Sequence, residues 1–252
     1  MTEHVIPAGY RFAAVASGIK KSNKPDMALI VSDCAAHCAG VFTRNQVIAA
    51  PLVVSRPRIA KGRCQAILVN SGNANACTGS DGIQRAEQTV ALTAAALGIE
   101  HDLVAVSSTG VIGVPLPLSP FERAVPQLVA DLQPDQAEAV ARAMMTTDAF
   151  TKIASANQAG DNPYSILGLA KGAGMIHPDM ATMLCFVLTD ARIESSFLQK
   201  LLDRAVADSF NAISVDGDTS TNDTVLLLAN GAAGGDLIRP ETDAAADFTD
   251  HL

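Results

Sequence analysis

The sequence predicts an α+β fold, a layered sandwich of β-sheets flanked by helices. Short apolar segments typical of strands occur along the whole chain, and helical segments separate some of them. The two kinds of segment do not alternate regularly, as they would in a doubly wound sheet. With 252 residues, of which 48% are hydrophobic and 17% charged, the chain can bury a substantial core.

Seven segments are predicted to be strands because each is short and apolar. The segment that starts at Thr182 is too apolar for a strand with one face in water, so we expect it to be buried on both faces. The strand before the turn Thr109-Gly110 is expected to end there. In chain order the predicted strands are 27–32, 39–43, 65–71, 103–108, 164–175, 182–191 and 224–230.

Helical patterns occupy three stretches between these strands. Ser80 or Asp81 is expected to cap the first helix, and Gly98 supplies its stop. The second stretch opens on Ser119-Pro120-Phe121-Glu122, which has capping-box spacing with proline at the first helical position, and two prolines interrupt it further on. The predicted helical stretches are 82–97, 119–145 and 195–208.

Composition and charge exclude several classes of function. A net charge of −8 and a pI near 5.0 argue against a nucleic-acid surface, which would be basic. No apolar run reaches the length that spans a bilayer, and the start, MTEHVIPAGY, is not a signal peptide. The five cysteines are an odd number and favour reduced thiols over a disulfide framework. We therefore expect a cytoplasmic protein without a nucleic-acid or membrane partner.

Two segments resemble metal sites and fail the test of spacing. Cys34-Ala35-Ala36-His37-Cys38 lacks the second ligand pair of a zinc site. The run from Asp216 to Asp223 resembles a calcium loop, but Thr221 stands where that loop needs glycine and Leu227 where it needs glutamate. We expect no metal and no bound cofactor. For the second segment two interpretations stay open, a satisfied turn network and a direct part in catalysis.

The most informative stretch is KGAGMIHPDMATML at 171–184. Its glycines and proline predict a tight loop that delivers Ala181-Thr182 onto a buried strand. A hydroxyl at such a junction can attack the preceding carbonyl, and ester hydrolysis would then leave Thr182 as a new N-terminus. Its amine, with a pKa near ~8 when free, can act as the base that activates the hydroxyl. On periodicity alone, a threonine that begins a strand is usually just a β-branched strand residue.

This stretch resembles the processing site of the ornithine acetyltransferase (glutamate N-acetyltransferase) family, in which the Ala-Thr bond is cut. Four further segments match that family in the same order, and MTTD at 145–148 is a shorter match. Together they span nearly the whole chain. The four segments are GVFTRN at 40–45, NSGNANACTG at 70–79, SSTGVIG at 107–113 and DSFNAISVDGDTSTND at 208–223.

The resemblance implies roles for particular residues. Thr182 is the nucleophile, and Thr109 and Gly110 form the oxyanion hole, where one lost donor costs roughly 3–4 kcal/mol of transition-state stabilisation. Lys171 and a threonine of the pair at 146–147, for which we choose Thr147 over Thr146, hold the amino-acid substrate together with Thr182. Taken singly, each feature has an ordinary interpretation, since Thr-Gly turns end many strands and most lysines are solvated.

The implied reaction moves the acetyl group of N2-acetylornithine to glutamate through an acetyl-threonine intermediate, in arginine biosynthesis. Acetyl-CoA is a second possible donor in some members. The implied fold is that of the DmpA/ornithine acetyltransferase group, with an α-chain region at 1–181 and the start of a β-chain at 182–252. The two pieces are expected to associate, further assembling as a heterotetramer.

The sequence departs from that family in length. Its members continue for well over a hundred residues past the counterpart of Leu252. We therefore expect a truncated β-chain and an incomplete substrate pocket. Two other hypotheses stay open: a related self-processing amidohydrolase and a catalytically incompetent fragment that only associates with a partner.

Overall fold

The computed structural model describes residues 4–160, 162–174 and 183–252. Its strands form one mixed sheet with the order β4-β3-β2-β8-β7-β6-β5, and β1 pairs with β2 off this path. The strands are β1 (Tyr10–Val15), β2 (Met27–Phe42), β3 (Arg63–Asn73), β4 (Val104–Val111), β5 (Lys152–Gln158), β6 (Tyr164–Lys171), β7 (Leu184–Thr189) and β8 (Thr224–Ala229). Both predicted pieces, 1–181 and 182–252, therefore contribute strands to the same sheet.

Two strand pairs in this sheet are parallel, β3–β4 and β7–β8, and the other pairs are antiparallel. The long strand β2 pairs with β1 through its first half and with β8 through its second. Its register with β3 shifts between Val31 and Ala36. An irregularity of this kind bends a strand and increases its twist, so β2 can serve two differently oriented parts of the sheet.

Helices cover both faces of the sheet. They are α1 (Ala50–Ile59), α2 (Gly79–Leu97), α3 (Ser119–Ala130), α4 (Ala137–Met144), α5 (Ser195–Asp208) and α6 (Asp243–His251). Helix α4 packs with one set of strand side chains, and α1, α2 and α3 pack with the alternate set on β1 to β4. Helices α5 and α6 pack on β6, β7 and β8. The layered α+β prediction is confirmed, with one sheet among the described residues.

Strand side chains alternate between these layers, as the two-residue repeat of a strand requires. On β8, Leu226 and Leu228 join the α4 layer, while Val225 and Leu227 join the α5–α6 layer. Each such side chain contributes roughly 1.5–3 kcal/mol when fully buried. Because β7 is covered on both faces in the same way, the prediction of a two-sided strand after residue 182 is confirmed for Leu184–Thr189.

Several elements differ from the sequence prediction. The predicted strands 27–32 and 39–43 are one strand. The prediction divided it because the polar residues in between, which lie at the register shift and are partly exposed, interrupt the apolar pattern. Helix α2 begins at Gly79, before both predicted capping residues, and Thr78 precedes it without a side-chain cap. The second helical stretch is two helices, α3 and α4, and Pro126 lies inside α3, where an interruption was predicted. Strand β4 continues through Thr109 and Gly110 to Val111, so the predicted turn at Thr109-Gly110 is wrong. Elements without a prediction are β1, β5, α1 and α6.

Candidate active site

The candidate site lies where β4 and β6 end and β7 and β8 begin. Strands β4 and β6 are separated in the sheet by four others. Even so, Lys171 at the end of β6 donates from Nζ to Oγ1 of Thr109 on β4, at 3.2 Å. The sheet must therefore curl enough to bring the two strand ends together. This curl places the predicted oxyanion turn beside the predicted substrate lysine.

Thr109 and Gly110 occupy a close backbone approach between β4 and β3. Thr109 pairs with Ser71 and Gly110 with Gly72 in a parallel ladder. Gly110 has a φ of +132°, and a Cβ built on it would lie 2.4 Å from the carbonyl carbon of Gly72. Because no side chain fits there, only glycine can occupy this position of β4. Thr109 itself is buried.

Lys171 is a buried cation held by hydroxyl groups. The side chain is 3% exposed, and its Nζ also donates to Oγ1 of Thr146 at 3.0 Å. Burial lowers the pKa of Lys171, while the more distant Asp148 and Asp223 favour the charged form. Within the part of the chain that the structure describes, no carboxylate lies at ion-pair distance from this ammonium. Most buried charges in proteins are paired, and a buried ammonium without a carboxylate partner among the described residues is chemically suited to an anionic ligand.

Of the two candidate threonines, the structure brings Thr146 to Lys171. Thr146 and Thr147 are both exposed residues, and the choice of Thr147 as the substrate contact stays a prediction. Neither its hydroxyl nor its backbone contacts Lys171 among the described hydrogen bonds.

Asp148 fixes the geometry of this corner and was not singled out from the sequence, although it ends the MTTD match. Its Oδ1 accepts hydrogen bonds from Gly172 N at 2.8 Å and Lys152 Nζ at 2.6 Å. Its Oδ2 accepts from Thr146 N at 3.2 Å. Burial raises the pKa of Asp148, but these donors outweigh burial and leave it below its ordinary value. Asp148 thus ties the threonine pair to the glycine turn after β6.

The segment before β8 forms the opposite wall. Asn222 donates from Nδ2 to the carbonyl oxygen of Ala74 at 2.9 Å, which joins this segment to the loop after β3. Asp223 is fully buried, and its Oδ1 accepts the N–H of Met183 at 2.9 Å. The predicted turn network is present, but Asn222 Oδ1 and Asp223 Oδ2 have no hydrogen-bond partner among the described residues. Burial raises the pKa of Asp223 to about 7.

Ala181 and Thr182, the predicted cleavage site and nucleophile, lie outside the described residues. Met183 follows directly, and its amide and carbonyl are both engaged by the segment before β8. The described part of the site therefore combines a close backbone approach at Gly110, the buried ammonium of Lys171 and the buried carboxyl of Asp223 near the start of β7. Such a set can bind an anionic group and stabilise negative charge that develops on an oxygen.

The sequence also made predictions about the cysteines and about metal binding. All five cysteines are free thiols, and Cys38, Cys64 and Cys185 are buried. Burial raises the pKa of Cys64 and of Cys185 to about 12, so neither is a reactive thiolate. Over residues 4–160, 162–174 and 183–252, no group of three or more His, Cys, Asp or Glu side chains could hold a metal ion. In the same ranges, none of the helices has both the length and the apolarity needed to span a membrane.

Comparison with known families decides the kinship of this chain. Residues 11–252 match the ArgJ family. The chain belongs to the ArgJ family. It is 56% identical over 245 residues to the arginine biosynthesis bifunctional protein ArgJ of Syntrophotalea carbinolica. This alignment covers 97% of this chain and 62% of that protein. It is 49% identical over 241 residues to the ArgJ protein of Geobacter sulfurreducens, with 95% and 61% covered. The chain thus spans about three fifths of the length of these ArgJ relatives.

Solved structures agree with this assignment. The ArgJ protein of Bacillus halodurans is 36% identical with a TM-score of 0.65, covering 71% of this chain and 92% of the solved chain. Ornithine acetyltransferase from Mycobacterium tuberculosis, complexed with ornithine, is 33% identical with a TM-score of 0.62, covering 73% and 98%. An L-aminopeptidase D-Ala-esterase/amidase from Ochrobactrum anthropi, described as a variant of the Ntn hydrolase fold, is 10% identical with a TM-score of 0.52. The last comparison supports the fold alone.

Proposed function

We propose that this chain carries the acetyl-transfer site of an ornithine acetyltransferase, which moves the acetyl group of N2-acetylornithine to glutamate in arginine biosynthesis. The observation that carries the proposal is the buried ammonium of Lys171 against Thr109, beside Gly110. A buried cation without a carboxylate partner suits the α-carboxylate of an amino-acid substrate. Membership of the ArgJ family, and the ornithine bound to the mycobacterial relative, support this choice of substrate.

The proposed chemistry uses Thr182 as nucleophile. Its hydroxyl proton passes to its own α-amine, the oxygen bonds to the acetyl carbon, and the C–N bond breaks as ornithine leaves with that proton. The oxygen of the tetrahedral intermediate faces Thr109 and Gly110. Because Oγ1 of Thr109 already accepts from Lys171, its own O–H remains available as a donor. Glutamate nitrogen then bonds to the acetyl carbon, the ester C–O bond to Thr182 breaks, and the proton released by the glutamate amine passes to the Thr182 oxygen. Two easier steps thus replace one difficult exchange.

The proposal includes self-cleavage between Ala181 and Thr182, which gives pieces 1–181 and 182–252. The solved ArgJ and ornithine acetyltransferase chains support it. Nearly all of each solved chain matches, 92% and 98%, but the match takes up only 71% and 73% of this chain. These figures fit solved chains that end near the proposed junction. Both pieces supply strands of one sheet, so they would stay associated after the split. A heterotetramer of such pieces in the cytoplasm completes the proposal.

The identity of the donor and the acceptor is also part of the proposal. Lys171 and Thr146, with Thr147 as the alternative, would hold the amino-acid carboxylate. Acetyl-CoA would be a second donor, which would account for the word bifunctional in the names of the ArgJ relatives. No bound cofactor is required, because the acyl group is carried on threonine.

Intact mass under denaturing conditions tests this proposal first. The chain of 252 residues should appear as pieces of 181 and 71 residues, and Thr182→Ala should leave one uncut species. Product formation from N2-acetylornithine should require glutamate and should be lost in the variant. Acetylornithine consumption without glutamate would instead indicate an amidohydrolase. One uncut species without turnover would contradict the proposal and favour a catalytically incompetent fragment.

A further inference from the structure

The proposed function leaves the splitting step without a base. After the split, the amine of Thr182 can accept the proton of its own hydroxyl. Before the split that nitrogen belongs to a peptide bond, and an amide nitrogen is not a base at neutral pH. Another group must therefore take the hydroxyl proton and return a proton to the departing nitrogen.

Asp223 is held beside the peptide unit that links Thr182 to β7. Its Oδ1 accepts the N–H of Met183, the residue directly after Thr182, at 2.9 Å. The carbonyl oxygen of Met183 in turn accepts the N–H of Thr224, so Met183 is anchored on both sides of the segment that starts β8. Asp223 therefore binds the amide of the residue that directly follows the proposed nucleophile in the sequence.

The second oxygen of this carboxyl lacks the backbone donor that the first oxygen has. Asp223 is 0% exposed, and Oδ2 has no hydrogen-bond partner among the described residues. A buried polar atom left without a partner costs about 1–3 kcal/mol, so its retention needs an explanation. An oxygen that exchanges a proton with the neighbouring reacting group supplies that explanation.

The charges around Asp223 allow it to hold or release a proton near neutral pH. Burial raises its pKa to about 7, against the opposing effects of the Met183 amide, the hydroxyls of Ser220 and Thr43, and the ammonium of Lys171. A group that titrates near the working pH can both accept and donate a proton. The charged groups nearby are Lys171 on β6, Asp148 and Lys152 beyond it, and Arg56 on α1, which donates to the carbonyl oxygen of Thr43.

We propose, on the basis of the proposed function, that Asp223 is the proton carrier of the self-splitting step. Oδ2 of the ionised carboxyl takes the hydroxyl proton of Thr182 as Oγ1 bonds to the carbonyl carbon of Ala181. The bond from that carbon to the nitrogen of Thr182 breaks, and the nitrogen receives the proton from Asp223. Water then hydrolyses the ester, which returns the hydroxyl to Thr182 and leaves a carboxyl group on Ala181.

Asp223→Asn tests this role in the full-length chain. The amide oxygen can still accept the N–H of Met183, but the side chain cannot take up a proton. The chain is made by cell-free synthesis, quenched in acid at intervals and weighed intact. We expect the variant to split about 100-fold or more slowly than the unaltered chain, the usual contribution of a positioned acid or base.

Asp190→Asn is the matched control. Asp190 is also a buried aspartate beside β7, and both of its oxygens accept backbone N–H groups, from Ala8 and Ser165. Asn can accept only one of these two N–H groups, so the variant is first checked for folding by circular dichroism, and its folded fraction should split at the unaltered rate. If Asp223→Asn also splits within threefold of that rate, the inference is overturned while the proposed function stands. If the unaltered chain neither splits nor turns over N2-acetylornithine, the proposed function fails and the inference with it.

The pH dependence of the unaltered chain decides the question if Asp223→Asn does not fold, as judged by circular dichroism. The splitting rate should rise with pH with a midpoint near 7, because the carboxyl must be ionised to accept the proton. A rate that stays constant from about pH 5.5 to 8.5 would overturn the inference, since a base with a near-neutral pKa must titrate across that interval.

Discussion

Each end of the parallel pair β7–β8 has a buried aspartate, and the two differ in how many of their carboxylate oxygens accept a hydrogen bond. Asp190 follows the last residue of β7, and its two oxygens accept N–H groups from Ser165 at 2.7 Å and Ala8 at 2.8 Å. Asp223 precedes the first residue of β8, and only one of its oxygens has a partner among the described residues. Both side chains are buried, so burial alone does not distinguish the two ends.

What distinguishes the ends is whether the backbone around the carboxyl satisfies it. At the Asp190 end the chain supplies N–H donors to both oxygens, which ties the N-terminal segment and the start of β6 to the sheet. At the Asp223 end the neighbouring charge is the ammonium of Lys171, itself without an ion-pair partner among the described residues. Proteins retain such costly groups mainly where chemistry requires them. We therefore propose a structural part for Asp190 and a chemical part for Asp223.

Removing the satisfied carboxyl should have the largest effect on stability. Asp190→Ala would leave the N–H groups of Ala8 and Ser165 without their partner, and each buried loss costs about 1–3 kcal/mol. We expect the free energy of unfolding in urea to fall by about 3 kcal/mol or more. Asp33→Ala removes an exposed carboxylate that pairs with exposed Arg11 and should change it by less than about 1 kcal/mol. Equal effects of the two variants would contradict the assignment of Asp190 to structure.

The unsatisfied carboxyl should make stability depend on pH. The pKa of Asp223 is about 7 in the folded chain, above the ordinary aspartate value near 4, so the folded state binds the proton more tightly. Its contribution is complete below about pH 4 and is lost as pH rises through about 7, an effect on the order of 3 kcal/mol. Asp223→Asn should lack this loss and be more stable than the unaltered chain at pH 8.

Urea unfolding at about pH 5.5 and 8 measures this difference, with Thr182→Ala introduced into both chains so that neither can split. The difference between the two chains should grow as pH rises. A constant difference would show that Asp223 is ionised over the whole interval, and would remove the contrast with Asp190.

Much of the fold could be predicted because the strands are apolar on both faces. Strands β7 and β8 contain almost no polar residues, so their apolar runs predict buried strands clearly. Edge strand β5, KIASANQ, has no apolar pattern because much of it stays in contact with water. Helix α1 was not predicted because it contains Pro57, a residue that usually ends a helix, and because its apolar residues do not form a clear stripe.

The site was predicted only as far as short motifs allow. Thr109, Gly110 and Lys171 were found through their neighbours in sequence, and the structure brings all three together. Asp148 was missed because its role depends on a contact with Gly172 that lies across a loop. The buried state of Asp223 could not be read from a polar run, since polar runs are usually solvated turns. Contacts between distant strands, here made by the curl of the sheet, leave no local pattern.

The smallest effect on stability is expected at Lys171, although its effect on activity should be large. Lys171→Met replaces a buried ammonium without an ion-pair partner among the described residues by an apolar side chain of similar length. Such a change is neutral or stabilises by about 1 kcal/mol, because the desolvation of the charge is removed. Acetyl transfer should fall at least about 100-fold, since the substrate carboxylate and Thr109 lose their cationic partner.

Lys152→Met is the control that separates charge from position. Lys152 is one-third exposed, with a side-chain exposure of 34%, and pairs with the same Asp148 that orders the corner. Asp148 would keep its bonds from Gly172 and Thr146, so transfer should change only a few-fold. Melting temperature and steady-state transfer are measured for both variants. If Lys171→Met were strongly destabilised while acetyl transfer survived, the ammonium would be a structural group like Asp190. Asp223 would then be the one residue at this end of β7–β8 with a proposed chemical role.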